Sequence, residues 1–477
     1  MAEDGVTPQS RMNGKKESPF SKGKMTRLKI LTAARSLFVT VPFRAAGIRM
    51  IAQAAGIRHP LVLHYFGSKE ALFDEVVALL EKEILSGPPL FFEQMQTLSL
   101  EERISFFIEG VIRHGFQNPD GYKLIMLNGG DVKFMATALP GVNRIKTVMD
   151  KILEIARKFY LRDVPLKEAN IYITTFTLAV SHYVGSQDFH QRVLRIESDD
   201  EYQAWVIETL RMIFHPMIRS LIQKQMVALP LQAGCLNEGI ARLEKNRLRQ
   251  VAREAESFNR GEKTRHQMIQ AAKTIFSKNA YDSATIRMIG EAGNFDYSRI
   301  HHFFATKADL FEAVIKELFD RFVREIEAWP QDFTGDSPDD LFIYYLRRGL
   351  ACCFANQETL GLVIRNIANY ERFAHLKGFV HMARIHSKML DMVYKSFQSD
   401  KRFPALSQWL YTIVMAGYSF AGAPDYPAHF MGLDPVSPAY RQEIFEALFL
   451  VFRPSLIDMV EKLRVEPPLS EKGKKNQ

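Results

Sequence analysis

The stretch that decides the fold runs over residues 48–73, IRMIAQAAGIRHPLVLHYFGSKEALF, because it returns in recognisable form later in the same chain. Residues 286–311, IRMIGEAGNFDYSRIHHFFATKADLF, lie at an offset of 238 and contain the same leading Ile-Arg-Met-Ile. Sliding residues 26–80 onto residues 264–318 without a gap gives 18 identities in 55 positions. An ungapped agreement of this length indicates an internal repeat.

The repeated unit is about half of the protein. The same offset of 238 returns far downstream, where IFHP at residues 213–216 lies over VFRP at residues 451–454. A chain of 477 residues with 47% hydrophobic residues is long enough for two to four domains with packed cores. A period this long excludes a solenoid of short repeats and predicts a tandem duplication of a whole two-part protein.

Each copy predicts a first helix, two short helices and then a longer helix. Apolar residues at 30, 33, 34, 37 and 38 follow the spacing of one helix face, and positions 268, 271, 272, 275 and 276 repeat it. The first short helix is expected to end at Gly56 or Asn294, because glycine and asparagine readily adopt the left-handed conformation of a helix end. Ser68 and Thr306 are good N-cap residues for the longer helix.

Two short helices joined by a tight turn behind a supporting helix form a helix-turn-helix, which can place its second helix in the major groove of DNA. Residues 48–57 and 64–73, with their copies at 285–293 and 302–311, resemble the DNA-binding domain of the TetR/AcrR family of bacterial transcription regulators. The specific motif covers about 50 residues of each half. The helical remainder of each half resembles the family only in length and helicity.

The resemblance implies an architecture and a mode of action. Family members are all-helical homodimers that bind pseudo-palindromic operators and release DNA when a small molecule occupies the C-terminal domain. The predicted fold class is therefore all-α, with two tandem TetR-like units, each an N-terminal helix-turn-helix three-helix domain, here called a headpiece, followed by a helical ligand-binding/dimerisation domain. Because one chain already has two headpieces, the units are expected to pair as an intramolecular pseudo-dimer. A homodimer of tandem chains with four headpieces is the open alternative.

The domain boundaries follow from the repeat and from changes in composition. The predicted domains are a flexible basic tail at 1–24, the first DNA-binding domain at 25–84, the first ligand-binding/dimerisation domain at 85–232, a charged helical linker at 233–260, the second DNA-binding domain at 261–322, the second ligand-binding/dimerisation domain at 323–465, and a flexible tail at 466–477. The sequence of the linker is compatible with a packed helix and with a solvated segment.

The candidate DNA contacts lie on the second short helix of each copy and at the starts of the neighbouring helices. They are Arg49, Arg58, His59, Leu61, Leu63, His64 and Lys69 in the first half, and Thr285, Arg287, Tyr297, Ser298, Arg299, His301, His302 and Lys307 in the second half. The guanidinium groups of Arg58 and Arg299 can each donate two hydrogen bonds to a guanine base. Lys69 and Lys307 are expected to hold a phosphate at the start of the next helix.

The two headpieces depart from the family pattern in different ways. A tyrosine that commonly grips the DNA backbone in relatives falls at Leu63 and His301, so neither half keeps it. The usual hydroxyl at the start of the first short helix is Gly47 in the first half and Thr285 in the second. Asp296 is unfavourable near phosphate unless it accepts a hydrogen bond from a cytosine amino group. We expect an asymmetric DNA site, with one headpiece weakened or specialised.

The resemblance also implies a small-molecule effector, whose identity the sequence does not give. The candidate ligand-binding residues are His182, Tyr183, Tyr418 and Phe420, which lie in the apolar helical region that lines ligand cavities in relatives. A core histidine with its hydrogen bonds satisfied is the competing interpretation of His182. No cofactor or metal is expected, because the adjacent His301 and His302 cannot face one point on a helix.

Composition and missing motifs limit the function classes. The net charge of +8 is compatible with double-stranded DNA as a partner. No long uncharged apolar run or signal peptide is visible, so we expect a cytoplasmic bacterial protein at the nucleoid, without a membrane partner. An enzyme is not expected, because no phosphate loop, nucleophile elbow or metal motif occurs. The predicted function is a TetR-type regulator that represses transcription; the alternative is a protein with degenerate headpieces that binds a ligand or a protein partner.

Overall fold

The computed structural model describes residues 22–85, 94–128, 140–225, 234–327, 337–396 and 404–465. Within these ranges the regular secondary structure is helical and no strand occurs, so the all-α prediction is confirmed. No helix in these ranges combines the length and the apolar character that crossing a bilayer requires. The predicted tails lie outside the described residues, except that residues 22–24 already belong to the first helix.

The helices follow the same order in both halves. The first half contains α1 (Lys22–Phe38), α2 (Ile48–Ala54), α3 (His59–Phe66), α4 (Lys69–Leu85), α5 (Leu100–Gln117), α6 (Asp120–Asn128), α7 (Pro140–Phe159), α8 (Leu166–Gly185), α9 (Gln187–Leu194) and α10 (Asp199–Ile222). The connecting helix is α11 (Gly234–Ser257). The second half contains α12 (Arg260–Lys278), α13 (Ile286–Gly293), α14 (Tyr297–Phe303), α15 (Lys307–Glu327), α16 (Pro338–Ala355), α17 (Gln357–Ile367), α18 (Tyr370–Phe373), α19 (Lys377–Ser396), α20 (Pro404–Gly422), α21 (Asp425–Met431) and α22 (Pro438–Val465).

The sequence offset between the halves holds along the whole chain. The first residue of α16 lies one offset after that of α5, and the same relation joins the first residues of α8 and α20. Ser99 and Ser337, also one offset apart, cap α5 and α16 by accepting a hydrogen bond from the backbone N–H three residues on. Pro216 and Pro454 occupy matching positions inside α10 and α22. The second half is therefore a structural copy of the first beyond the short motif of the headpiece.

The charged linker folds as a packed helix. Leu236 and Ile240 of α11 are only 4% and 2% exposed, and α11 packs against α16. The Arg247 guanidinium donates a hydrogen bond of 2.9 Å to the last carbonyl of α16. Leu248 of the same helix is 67% exposed, so only one side of α11 is buried. Of the two interpretations of this segment, the structure favours the packed helix.

The two halves pack against each other through equivalent helices. Helix α10 packs on α22 and α8 on α20, and α9 also packs on α19, which is not its equivalent. At the edge of this contact Lys167 forms ion pairs with Glu443 and Glu446. The side-chain amide of Asn369 donates a hydrogen bond of 2.8 Å to the carbonyl of Thr40, so the second half also contacts the first headpiece.

A buried polar cluster lies in the contact between the halves. Three hydrogen bonds join the halves there: His190 Nδ1 with Tyr411 Oη at 2.5 Å, Tyr183 Oη with Thr412 Oγ1 at 2.8 Å, and His182 Nδ1 with Ser419 Oγ at 3.3 Å. His182, His190 and His386, here called the interface histidines, are at most 4% exposed. Burial lowers the pKa of His182 to about 3 and that of His386 to about 4, and it lowers the pKa of His190 as well.

Candidate nucleic-acid interface

The core of the first headpiece holds α2 and α3 in fixed positions. Phe38 of α1, Ile51 of α2, and Val62 and Phe66 of α3 are each at most 7% exposed. The Arg27 guanidinium lies 4.7 Å from the centre of the Phe66 ring and covers the end of α3. Because the inward side of α3 is fixed in this way, its other side is presented to solvent as a rigid surface.

The turn between the two short helices contains a left-handed residue in each half. Gly56 has φ of +65° and Asn294 has φ of +56°, as the sequence predicts. Glycine has no Cβ to clash in this conformation, and asparagine tolerates it better than most residues. The helices before these turns differ in their caps: the Thr285 hydroxyl accepts a hydrogen bond of 3.2 Å from the Met288 N–H, whereas Gly47 has no side chain to do so.

The predicted contact residues of the first half form an outward surface on α2 and α3. The exposed members are Arg49, Arg58, His59, Leu63 and His64, and Leu61 is half-buried. Met50 and Leu63 are 42% and 44% exposed. An apolar side chain beside basic residues suits contact with a thymine methyl group in the major groove.

The second half presents a different outward surface on α13 and α14. Tyr297 is 63% exposed, and its ring centre lies 4.4 Å from that of His301, which is half-buried. Arg287 forms an exposed ion pair of 2.9 Å with Glu291. The Arg299 guanidinium is directed towards α12, 3.5 Å from a threonine hydroxyl. The remaining predicted contacts of this half are also exposed: Thr285, Ser298 and His302.

The two helix-turn-helix regions differ in charge. Residues 39–69 contain four Lys or Arg residues and no Asp or Glu, whereas the equivalent residues 277–307 contain four Lys or Arg residues and three acidic ones. The acidic residues are Asp282, Glu291 and Asp296. The first headpiece therefore offers the more positive surface to DNA phosphates, and sequence-independent affinity depends mainly on such charge.

The two lysines predicted to hold phosphate are turned into the protein. Lys69 Nζ donates a hydrogen bond of 3.0 Å to the Phe43 carbonyl and lies 4.2 Å from the centre of the Phe43 ring. Lys307 Nζ likewise donates a hydrogen bond of 2.8 Å to the Tyr281 carbonyl and lies 4.3 Å from the centre of the Tyr281 ring. Burial lowers the pKa of both ammonium groups. This placement differs from the outward orientation expected from the sequence, because the carbonyl and the ring satisfy the ammonium group inside the headpiece.

A buried asparagine connects each headpiece to the helical body behind it. Asn128, the last residue of α6, accepts a hydrogen bond of 2.9 Å from the Phe43 N–H, and Asn366 accepts one of 2.8 Å from the Tyr281 N–H. These asparagines are 3% and 2% exposed. Because the Phe43 carbonyl also accepts from Lys69, a single residue connects the end of α6 to the start of α4.

An apolar cavity lies in the first half between α4 and the body. Its space, counted with its opening to solvent, is about 1150 Å³, and its walls come mainly from α4–α8. Aromatic and aliphatic side chains such as Phe107 and Phe176 form most of the lining. Glu81 also lines the cavity, but its carboxylate pairs with Arg144 at 3.3 Å and with Lys151 at 3.0 Å.

None of the four predicted ligand-binding residues lines this cavity. His182 and Tyr183 form hydrogen bonds across the contact between the halves. Tyr418 packs its ring against His386, and Phe420 is fully buried on the same helix, α20. The polar groups of His182 and Tyr183 therefore take part in the packing of the two halves.

Comparison with known proteins agrees with this geometry. The family model described as "Bacterial regulatory proteins, tetR family" matches residues 30–76 and again residues 268–314. No curated protein matches the chain in sequence at a significant level. A solved chain from Shewanella sp. PV-4, named as a candidate tetR family transcription regulator, is 16% identical over 38% of this chain and 94% of its own length. Its TM-score of 0.28 is too low to support an argument from the superposition.

The fold and the outward helices define a helix-turn-helix DNA-binding protein. The two matched segments contain α2–α3 and α13–α14, together with the helices that support them. The chain thus carries two segments that match the tetR-family DNA-binding domain, one in each half of a tandem duplication.

Proposed function

We propose that this chain is a one-component transcriptional repressor that binds an asymmetric operator with both headpieces and releases it when a small molecule fills the first-half cavity. The observation that carries the proposal is the presence, in one chain, of two outward recognition helices on halves that pack through equivalent helices. No catalytic step is part of this function, and its proposed location is the bacterial cytoplasm, at the nucleoid.

The asymmetry of the operator follows from the two recognition surfaces. Arg58 at the start of α3 corresponds to Asp296 at the start of α14, so a group that donates to guanine in one headpiece is replaced by one that can only accept. His59 likewise corresponds to Tyr297. The residues at the N-terminal end of a recognition helix are those that contact base edges. Two different base patterns are therefore expected in the two half-sites.

The pseudo-dimer is the arrangement that the contact between the halves supports. Equivalent helices α8 and α20, and α10 and α22, pack on each other as the subunits of a symmetric dimer would. Covalent linkage gives this pairing a high effective concentration, so a second chain competes poorly for the same surface. A homodimer of tandem chains would need a further surface, and one chain per operator is the proposed state.

The release step uses the connection between cavity and headpiece. Gly121 and Tyr122 of α6 line the cavity, and Asn128 at the end of the same helix binds Phe43. Phe43 in turn binds Lys69 at the start of α4. A ligand that fits better when α6 is displaced stabilises a headpiece position different from the one that binds DNA. The difference in ligand affinity between the two positions sets the extent of release.

The proposal is tested by the salt dependence of DNA binding. Fluorescence anisotropy with random-sequence duplex at several salt concentrations should give a linear fall of log affinity with log salt. Replacing both Arg49 and Arg58 by Ala should reduce that slope by about one to two. A double change to Ala at Arg287 and Arg299, the exposed arginines of α13 and α14, tests the second headpiece. Arg113→Ala on α5, which removes an exposed arginine of the body, is the matched control and should leave the slope unchanged.

The outcomes separate the proposed function from its main alternative. A smaller salt slope in both double variants supports DNA binding by both headpieces. A smaller slope only with the first pair means that the second headpiece is degenerate. If the wild-type chain shows no salt-sensitive binding to any duplex, the protein is a ligand- or partner-binding module. The changes Lys69→Ala and Lys307→Ala are unsuitable for this test, because both lysines support the headpiece fold.

A further inference from the structure

Two positions that line the first-half cavity carry much larger side chains at the matching positions of the second half. Val148 and Val180 line the cavity. Their counterparts one repeat offset later are His386 and Tyr418. The rings of these two residues pack edge to face in the second half, with centres 5.6 Å apart. Two rings therefore occupy the space that two valines leave open in the first half.

A third position that lines the cavity also has a longer side chain in the second half. Thr177 lines the cavity on α8, and its counterpart on α20 is Met415, which is 4% exposed. A methionine side chain is longer than that of threonine and adapts to irregular spaces, so it fills volume that threonine leaves free. At these three positions the second half carries the larger side chain.

The wall of the first-half cavity includes a residue of the second half. Tyr426 on α21 lines the cavity and is 2% exposed. Its hydroxyl has no hydrogen-bond partner among the residues that the structure describes, and a buried hydroxyl without a partner is energetically unfavourable. Burial raises its pKa, and the nearby Tyr122 raises it further, so the hydroxyl stays protonated and can donate. This donor is available to a molecule in the cavity.

The charge of the lining restricts what can bind. The Glu81 carboxylate already pairs with Arg144 and Lys151, and His114 Nε2 lies 2.8 Å from the Glu83 carbonyl. A charged ligand would lose its hydration against a mainly apolar wall without gaining a free counter-ion there. An uncharged ligand with one hydrogen-bond acceptor matches both the wall and the tyrosine donor.

We infer that the chain binds one uncharged, largely apolar molecule, which accepts a hydrogen bond from Tyr426, in the first half and none at the equivalent place in the second half. The inference deepens the proposed function and rests on it for the role of this molecule as effector. Since Tyr426 belongs to the second half and Tyr122 to the first, the bound molecule contacts both halves. A single ligand can therefore act on the pairing of the halves as well as on the first headpiece.

The test measures binding of prodan, an uncharged naphthyl ketone whose emission shifts to the blue in apolar surroundings, to the full chain without DNA. We expect a stoichiometry of one per chain. Val180→Tyr and Thr177→Met, which introduce the second-half residues, should each abolish binding. Tyr426→Phe should weaken it about three- to tenfold, as expected for one lost hydrogen bond. Val436→Tyr, the same change at an exposed valine of the second half, is the matched control and should leave the affinity of the first-half site unchanged.

Three results would overturn the inference: no prodan binding by the wild-type chain, two molecules per wild-type chain, or undiminished binding by both filling variants. Melting temperatures of the ligand-free variants show whether each one is folded. If only one of Val180→Tyr and Thr177→Met folds, that variant alone is enough for the test. Because no DNA is present, the two proposals fail separately. A chain that binds prodan but not DNA contradicts the proposed function only, and a chain that binds DNA but not prodan contradicts this inference only.

Discussion

Lowering the pH from 7 to 5 should destabilise the contact between the two halves, because the interface histidines are neutral in the folded protein. Burial lowers the pKa of His182 to about 3 and that of His386 to about 4, against an unfolded value of about 6.5. The unfolded chain therefore takes up protons below pH 6.5 while the folded chain does not. The stability from these histidines is complete above pH 6.5 and is lost progressively as the pH falls towards 4 and then 3.

The magnitude follows from the size of the shifts. At pH 5 an unfolded histidine has gained about 2 kcal/mol from protonation, and a folded histidine with a pKa of 3 or 4 has gained almost none. His182 and His386 together thus lower the free energy of unfolding by about 4 kcal/mol between pH 7 and pH 5. His190 acts in the same direction, since burial lowers its pKa as well. This loss is a large part of the stability of a typical protein.

The other titratable groups around the cluster do not reproduce this effect. Tyr183, Tyr411 and Tyr418 have pKa values raised by burial and remain neutral throughout the pH range. Asp188 on α9 has a pKa raised by burial and by the nearby Glu371, so it opposes the histidines as the pH falls. A variant that removes one histidine isolates the histidine contribution from this opposing one.

The assay is guanidinium unfolding of the wild-type chain and of two variants at pH 7 and pH 5. His182→Phe introduces the residue found at the equivalent position of the second half, and it should lose about 2 kcal/mol less than the wild type on acidification. His302→Asn removes an exposed histidine and should behave like the wild type. Equal losses in the wild type and in His182→Phe would refute the assignment of this pH dependence to the cluster.

Three further changes test the headpieces. Asn128→Ala leaves the buried Phe43 N–H without its acceptor and should cost about 1–3 kcal/mol of stability, measured by denaturant unfolding. Changing Asp296 to Arg together with Glu291 to Gln gives the second headpiece the residues of the first, and should steepen the salt dependence of DNA binding by about one to two in anisotropy titrations. Lys69→Met removes the hydrogen bond at the start of α4 and should lower the melting temperature while speeding amide exchange in α2 and α3.

Each of these changes has a result that contradicts its reasoning. An Asn128→Ala chain as stable as the wild type would mean that the hydrogen bond does not hold the headpiece. An unchanged salt slope after the two charge changes would mean that the second headpiece does not approach phosphate. A Lys69→Met chain with normal stability and much weaker DNA binding would return this lysine to the role of phosphate contact expected from the sequence.

The repeat made much of the fold predictable. The offset of 238 placed the helices of one half on those of the other, and the residues at helix ends were recognisable by their chemistry. Gly56 and Asn294 could be assigned to left-handed turns, because few other residues adopt that conformation. Ser68 and Thr306 could be assigned as caps, and each hydroxyl accepts a hydrogen bond from the N–H three residues on. Such features depend on local chemistry and need no knowledge of distant contacts.

The direction of long polar side chains was not predictable in the same way. Lys69 stands where a phosphate contact was expected, but its ammonium group finds a carbonyl and a ring that both belong to Phe43, in the loop before α2. His182 and Tyr183 were placed at a ligand cavity, yet their partners across the contact belong to α20 of the other half. Such contacts depend on how the helices pack, which helical periodicity alone does not specify.

Two features of the site were missed although the repeat contained signals for them. Asn128 and Asn366 are one offset apart near the ends of α6 and α17, and the same polar residue repeated at matching positions indicates a shared hydrogen bond. The pairs Val148 with His386 and Val180 with Tyr418 show the filling of one cavity, once the cavity is known. The sequence comparison alone does not show which positions share a cavity.

Whether one chain binds an asymmetric site with both headpieces is measured by selecting bound sequences from randomised DNA and determining the mass of the recovered complex by light scattering. We expect an asymmetric site bound by one chain. A palindromic site bound by two chains, or no enrichment of any sequence, would contradict this expectation.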